Sequence, residues 1–174
     1  MIKQDILENQ VKIVYLGIGS NLGNKQQNIE NTKAKINECG IKIIKCSRNY
    51  ESLSYPNTKD PTFINVVLKV ETYLSPFQLL GMCNKIEKKL GRKRFKKNAP
   101  RTCDIDIIDY NQQIMKYVKS KKLILPHPEM SKRNFVLLPL YEISRNWFHP
   151  KRKIDIKKLI NSLNIKDLRT IKQI

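Results

Sequence analysis

FINVVLKVETYLSPFQLLGMCNKIEKKLG, residues 63–91, sets a strand directly against a helix. Phe63–Thr72 is rich in β-branched and apolar side chains and predicts a largely buried strand. Ser75, Pro76 and Gln78 then mark a helix start. The serine can cap, the proline occupies the first helical position, where an N–H has no partner anyway, and the glutamine stands three residues past the cap. Leu79, Leu80, Cys83, Ile86 and Leu90 recur at helical spacing, and Gly91 stops the helix.

Upstream, KIVYLGI (12–18) predicts a buried strand ending at Gly19. Ser20 or Asn21 is expected to cap a helix over about 25–38 that stops at Gly40, and IKIIKCS (41–47) predicts a second strand. LSYPNTKDPT (53–62) is a loop. Downstream, RKRFKKNAPR (92–101) has six positive charges and no acid, and reads as an exposed basic loop. TCDIDIID (102–109) predicts a fourth strand. Tyr110-Asn111-Gln112 begins a turn into a short hairpin arm, LILP (123–126) is a short strand and FVLLPLYEI (135–143) a short helix. KIDIKKLINSL (153–163) is a C-terminal amphipathic helix. The order β-α-β-β-α-β predicts an α+β ferredoxin-like sandwich, one antiparallel sheet with helices on one face, carrying an added short hairpin arm and a C-terminal helix.

The 174 residues are the length of one domain, and 40% are hydrophobic, enough for one continuous core. No run of 18 apolar residues occurs, so no membrane span is expected. The first ten residues lack the apolar run of a secretory signal. Cys39, Cys46, Cys83 and Cys103 form no C-x-x-C, so reduced thiols in a cytoplasmic protein are expected. The formal charge of +19 comes from lysines spread along the whole chain. That reads as solvation plus a general attraction for anionic ligands, not as a specific nucleic-acid face.

Asp104-Ile105-Asp106 is the sharpest chemical feature. Residues two apart on a strand share a face, so Cys103, Ile105 and Ile107 can enter the core while both aspartates project to the other side. Two neighbouring carboxylates repel unless a cation neutralises them, and hard oxygens suit Mg²⁺. Asp109 is out of phase with the pair and reads as a turn residue. Arg92 and Arg101 frame the basic loop, and guanidinium groups grip phosphate oxygens in pairs of hydrogen bonds. Arginines beside a metal-binding pair form the usual kit for phosphoryl transfer.

Other nucleotide and nucleic-acid readings fail on spacing. Gly17, Gly19 and Gly23 miss the dinucleotide fingerprint because the third glycine is one position late, and no G-x-x-x-x-G-K occurs. An RNA-binding sheet needs glycine and aromatics on a central strand, where this chain has two aspartates.

Several motifs together resemble the hydroxymethyldihydropterin pyrophosphokinase family. These are Gly19-Ser20-Asn21-Leu22-Gly23, Phe63-Ile64-Asn65, Gly91-Arg92, Pro100-Arg101-Thr102-Cys103-Asp104-Ile105-Asp106, Pro126-His127-Pro128 and Arg133-Asn134-Phe135. They are collinear from about residue 12 to about residue 150 of what is expected to be a single pyrophosphokinase domain over 1–174. The resemblance implies transfer of a pyrophosphoryl group from ATP to 6-hydroxymethyl-7,8-dihydropterin in folate biosynthesis, with AMP released. It implies that Asp104 and Asp106 bind two Mg²⁺ ions and that Arg92 and Arg101 grip the phosphates. Phe63 and Phe135 would sandwich the pterin, Asn65 would bond its amide edge, and the backbone near Ser52 and Leu53 would add hydrogen bonds. His127 and Arg133 would lie on the nucleotide side, with Ile107, Ile124 and Glu87 nearby. It further implies small-molecule substrates, no specific nucleic acid, and association or fusion with other folate enzymes. The sequence departs from many relatives in having Asn98-Ala99 where they carry a tryptophan, and Pro128 where some carry an aromatic.

Overall fold

The computed structural model describes residues 10–54, 57–93, 99–116 and 123–174. Strand β1 (Lys12–Ser20) leads to helix α1 (Lys25–Glu38), β2 (Lys42–Cys46), β3 (Tyr50–Ser52) and β4 (Phe63–Thr72). Helix α2 (Pro76–Lys89) and β5 (Asp104–Tyr110) follow. After a 3₁₀ turn at Met130–Lys132 come α3 (Asn134–Ile143), β6 (Phe148–His149), β7 (Ile154–Asp155), α4 (Ile156–Asn161), α5 (Ile165–Leu168) and β8 (Ile171–Gln173).

β1 lies in the middle of the main sheet. It pairs with β4 from Lys12↔Thr72 to Ser20↔Ile64 and with β5 from Gly19↔Asp104 to Val14↔Tyr110, both antiparallel. The order is β5-β1-β4-β3-β8, with β2 also on β4. The helix start at Ser75 is as the sequence predicts: its hydroxyl accepts from the Gln78 N–H, the Gln78 side chain accepts from the Ser75 N–H, and Pro76 follows. α1 starts differently. Asn24, not Ser20 or Asn21, accepts the Gln27 N–H at 3.1 Å. At its far end Gly40 takes φ +74°, a conformation that costs glycine no Cβ clash.

α1 and α2 cover one face of the sheet. Ile29, Ile36, Leu79, Cys83 and Ile86 pack there against Leu16, Ile18, Leu68, Ile105 and Ile107. Full burial of Leu79 and Ile86 contributes about 2 kcal/mol each. Helices were expected on this face alone, but α3 and α4 cover half of the other. Val136, Leu137, Leu140, Trp147, Ile156 and Leu159 bury Tyr15, Val67 and Ile108. The C-terminal helix is correspondingly shorter than 153–163, because Phe148–His149 and Ile154–Asp155 form a two-stranded ribbon before it. The expected hairpin arm lies partly outside the described residues; what is described is a bridge between Met115 and Leu125. Half of the basic loop, 94–98, also lies outside them. The four cysteines are free thiols, and burial pushes Cys83 up to about 12.

Candidate active site

α3 and α4 cover the half of the sheet face near Tyr15 and leave the half near Gly17 and Gly19 uncapped by that cluster. Onto this half β5 projects Asp104 opposite Gly19 and Asp106 opposite Gly17, so the two aspartates share a face while Ile105 and Ile107 fill the core. A register shift against Tyr15 and Leu16 places Asp109, not Ile108, opposite Tyr15. This bulge brings Asp109 into phase with the pair, contrary to the sequence reading. It also does more than shape a turn. Asp109 is buried and accepts from Trp147 Nε1 at 2.8 Å and Gln112 Nε2 at 2.6 Å, while burial raises its carboxyl above the ordinary range. It fastens β5 to the α3–α4 cluster and stands outside the charged cleft.

Asp104 is clamped by two arginines. Arg92 donates to its Oδ1, and Arg101 donates to Oδ2 through Nε at 2.7 Å and pairs with it through Nη2 as well. Burial pushes the Asp104 carboxyl up, but Arg101 and then Arg92 outweigh it and hold it below the usual carboxylate range. Glu87 of α2 anchors the arrangement from below. It accepts from Arg92 and from the Ile105 N–H at 2.8 Å, so α2 and β5 are joined at the point where the aspartates emerge. Asp106 is more open, with its side chain 38% exposed against 19% for Asp104. Its Oδ2 accepts from Arg133 at 3.0 Å and faces His127 Nε2 at 3.8 Å. Burial lowers the His127 imidazole; Asp106 pulls it back and Arg133 pushes it down again, leaving it below its ordinary value.

Each of two aromatic rings lies against one of these arginines. The Arg101 guanidinium lies 4.8 Å from the Phe63 ring centroid, and that of Arg133 lies 5.7 Å from the Phe135 centroid. Gly19 lets Asn65 and Phe63 approach closely, because a Cβ would come within 3.1 Å of Asn65 Oδ1 and 3.3 Å of Phe63 Cδ1 and push them aside. Asn65 Nδ2 donates to the buried Ser52 Oγ at 2.9 Å, while Leu53 next to it is exposed. Beside Asp106 opens a pocket of about 230 Å³ lined by Leu80, Ile107, Leu123, Ile124, His127 and Pro128 among others. A larger hollow, about 380 Å³ between the end of α1 and α2, holds none of these residues.

Apart from Leu53, which is exposed next to Ser52, the candidate residues fall into three groups. Arg92, Glu87, Arg101 and Phe63 gather on Asp104. Arg133, Phe135 and His127 gather on Asp106, with Ile107 and Ile124 in the adjoining pocket. Ser52 and Asn65 form the third group. Sequence reasoning misjudged Asn21. It is buried, its Oδ1 accepts from the Arg101 N–H at 2.8 Å, and its Nδ2 reaches Ser54 Oγ at 3.3 Å and the Pro61 carbonyl at 3.2 Å. One side chain thus ties the β1–α1 turn to the root of Arg101 and to the 53–62 loop. Its place in the Gly-Ser-Asn motif was the available signal.

The fold and site define a class: an α+β domain with a carboxylate pair, three guanidinium groups and two aromatic rings around a cleft on one antiparallel sheet. The chain belongs to the 7,8-dihydro-6-hydroxymethylpterin-pyrophosphokinase (HPPK) family, whose model matches residues 15–145. It is 39% identical to the 2-amino-4-hydroxy-6-hydroxymethyldihydropteridine pyrophosphokinase of Aquifex aeolicus, over 83% of this chain and 88% of that one. It is 38% identical to the folic acid synthesis protein fol1 of Pneumocystis carinii, over 94% of this chain and 22% of that protein. The chain thus spans about a fifth of the length of that relative and of its Dictyostelium discoideum counterpart. Among solved structures, wild-type Plasmodium falciparum HPPK-DHPS superposes with a TM-score of 0.73 at 17% identity, covering 95% of this chain and 45% of that one. At that identity the likeness is one of fold.

Proposed function

We propose that residues 1–174 form one catalytic domain, a pyrophosphokinase that transfers the terminal two phosphates of ATP to the hydroxymethyl group of 6-hydroxymethyl-7,8-dihydropterin and releases AMP. The observation that carries this reading is the pairing of Asp104 and Asp106 on one strand face, with Arg92, Arg101 and Arg133 turned onto them. The named pyrophosphokinase relatives support the choice of substrates.

The residues fit divalent cations. Two hard carboxylates stand side by side, and the more exposed, Asp106, borders the pocket. Asp104 and Asp106 would hold two Mg²⁺ ions, which when bound would offset the charge of the triphosphate. Because Asp104 already spends both oxygens on arginines, the arginines have to exchange carboxylate for phosphate as substrate enters. They then meet the charge that develops on the transferring group. The pocket beside Asp106 is lined mostly by apolar side chains, Leu80, Ile107, Leu123 and Ile124 among them, and suits an adenine ring, and Arg133, held on Asp106, would meet the phosphates. Phe63 and Phe135 supply faces on which a pterin stacks. Asn65 offers the pterin edge Oδ1 while Ser52 holds its amide nitrogen, and the backbone at Ser52 and Leu53 adds to that wall. The hydroxymethyl oxygen attacks the β-phosphorus in line, that phosphorus breaks its bond to the oxygen left on AMP, and the hydroxyl proton is lost to solvent. No covalent enzyme intermediate is needed.

The strand order, with β2 and β3 sharing the outer edge of β4, supports a ferredoxin-like description of the sheet. Among the described residues no helix is long and apolar enough to cross a membrane, and we place the enzyme in the cytoplasm. The short share of the fol1 relatives that is matched supports a partnership or fusion with another folate enzyme. Incubation with ATP, Mg²⁺ and the pterin alcohol tests the reading through AMP formation.

A further inference from the structure

The segment after α4 lies beyond the matched residues 15–145, yet it touches both sides of the pterin wall described above. On one side β8 continues the main sheet along β3, with Ile171 opposite Ser52, Lys172 opposite Glu51 and Gln173 opposite Tyr50. The Ile174 N–H donates to the Asn49 carbonyl at 2.9 Å. Bonded pairs alternate along an antiparallel ladder, so Lys172 and Glu51 form the next one. β3 has only three residues and meets the rest of the sheet through β4, so β8 is its second support. Ser52 on that strand fixes the amide of Asn65.

On the other side the segment is held by Asn134, the first residue of α3. The Asn134 side chain is buried. Its Nδ2 donates to the Asp167 carbonyl and to Thr170 Oγ1 at 3.3 Å, while its Oδ1 accepts the Phe135 N–H at 2.6 Å. One amide therefore joins the C-terminal segment to the backbone of the residue that carries the stacking ring. Glu142, further along α3, closes the circuit by accepting from the Tyr50 hydroxyl at 3.0 Å and from the Arg48 N–H at 3.1 Å.

We propose that α5 and β8 form a brace between the Ser52–Asn65 wall and Phe135, and that Asn134 is the positioning residue through which the C-terminal segment sets the width of the pterin slot. This rests on the pterin reading given above. Among the described residues α5 and β8 pair with β3 and Asn134 and not with Asp104. Asn134 also follows Arg133, which holds Asp106, so loss of the brace weakens the pterin more than ATP.

Two substitutions in the full chain separate the brace from general stability. Asn134→Asp keeps the oxygen that accepts the Phe135 N–H and places a carboxylate at a helix start, where it is favourable. It removes the donor to Asp167 and Thr170. Lys172→Pro removes one β3–β8 bond without touching α3. We expect each to raise the dissociation constant for the pterin alcohol about tenfold, the size of one lost hydrogen bond. The dissociation constant for ATP changes less than threefold, and the melting midpoint falls by only a few degrees, as one lost bond requires. Unchanged pterin affinity in both variants overturns the brace, as does equal weakening of pterin and ATP. Failure of the wild-type protein itself to bind the pterin removes the underlying reading, and with it the brace.

Discussion

Arg101 lies over Phe63, its guanidinium carbon 4.8 Å from the ring centroid, while its Nε holds Asp104 at 2.7 Å. The same side chain thus covers a candidate stacking face and neutralises a candidate metal ligand. On the proposed function both contacts would be exchanged when substrates enter, and the guanidinium that leaves Asp104 would then meet phosphate. We expect Arg101→Ala to lower kcat by about a hundredfold or more, in line with the loss of one charge-stabilising donor. The pterin dissociation constant should change less than threefold. Single-turnover kinetics beside a binding titration checks this; a loss confined to pterin affinity contradicts it.

The aspartates differ in what they hold together. Asp104 neutralises two arginines that are 13% and 20% exposed, whereas Asp106 is half open. Asp104→Ala and Asp106→Ala should both reduce turnover to near background. Removing Asp104 leaves the Arg101 guanidinium without its carboxylate in a partly buried site, while Arg92 keeps Glu87, and should cost about 3 kcal/mol of stability; Asp106→Ala costs under about 1 kcal/mol, as for an exposed pair. Denaturant unfolding of the two variants distinguishes them. Near-wild-type activity in either one rules out the assigned role.

Phe135 follows Asn134 at the start of α3, is half-buried against the α3–α4 cluster and carries the Arg133 guanidinium 5.7 Å from its ring centroid. Phe135→Ala should weaken pterin binding about tenfold through lost stacking and burial, with ATP affinity measured alone unchanged. Calorimetric titration of each ligand decides it, and an unaltered pterin constant would rule out stacking on this ring.

These relationships were only partly legible in the sequence. Alternation within Asp104–Ile107 and the Ser75–Gln78 capping box are local, and both read directly. The bulge opposite Tyr15 is not local. It depends on how β5 meets β1, and it turned Asp109 from an apparent turn residue into a buried anchor for Trp147. β3 and β8, three residues each, carry too little pattern to be seen. They persist because each is the other's partner across some 120 residues of chain, a pairing no short window contains. Asn21 was misread for a different reason. Asparagine after a strand is a generic helix cap, and apart from its place in the Gly-Ser-Asn motif nothing nearby announces that its amide faces Arg101 while Asn24 does the capping.

His149 offers a test of the α3–α4 cluster that is separate from catalysis. Its Nδ1 accepts the N–H groups of Lys151 and Arg152, each at 3.2 Å, and so has to be unprotonated in the folded protein. Burial first, and then Arg152, holds its value below the ordinary one. The unfolded chain, at about 6.5, takes up its proton first. The contribution of His149 is therefore complete above that pH and is lost as pH falls through the window below it. Melting midpoints of the wild-type protein should drop between pH 7.5 and 5.5 more steeply than those of His149→Asn, whose amide oxygen can accept in place of Nδ1. Parallel slopes would contradict this.

The most direct test of the chemistry is a product assay on the purified chain with ATP, Mg²⁺ and 6-hydroxymethyl-7,8-dihydropterin. We expect AMP and the pterin diphosphate in equal amounts, with neither formed when the pterin or the metal is withheld. ADP as the nucleotide product, or AMP that accumulates without the pterin, would contradict pyrophosphoryl transfer at the Asp104–Asp106 cleft.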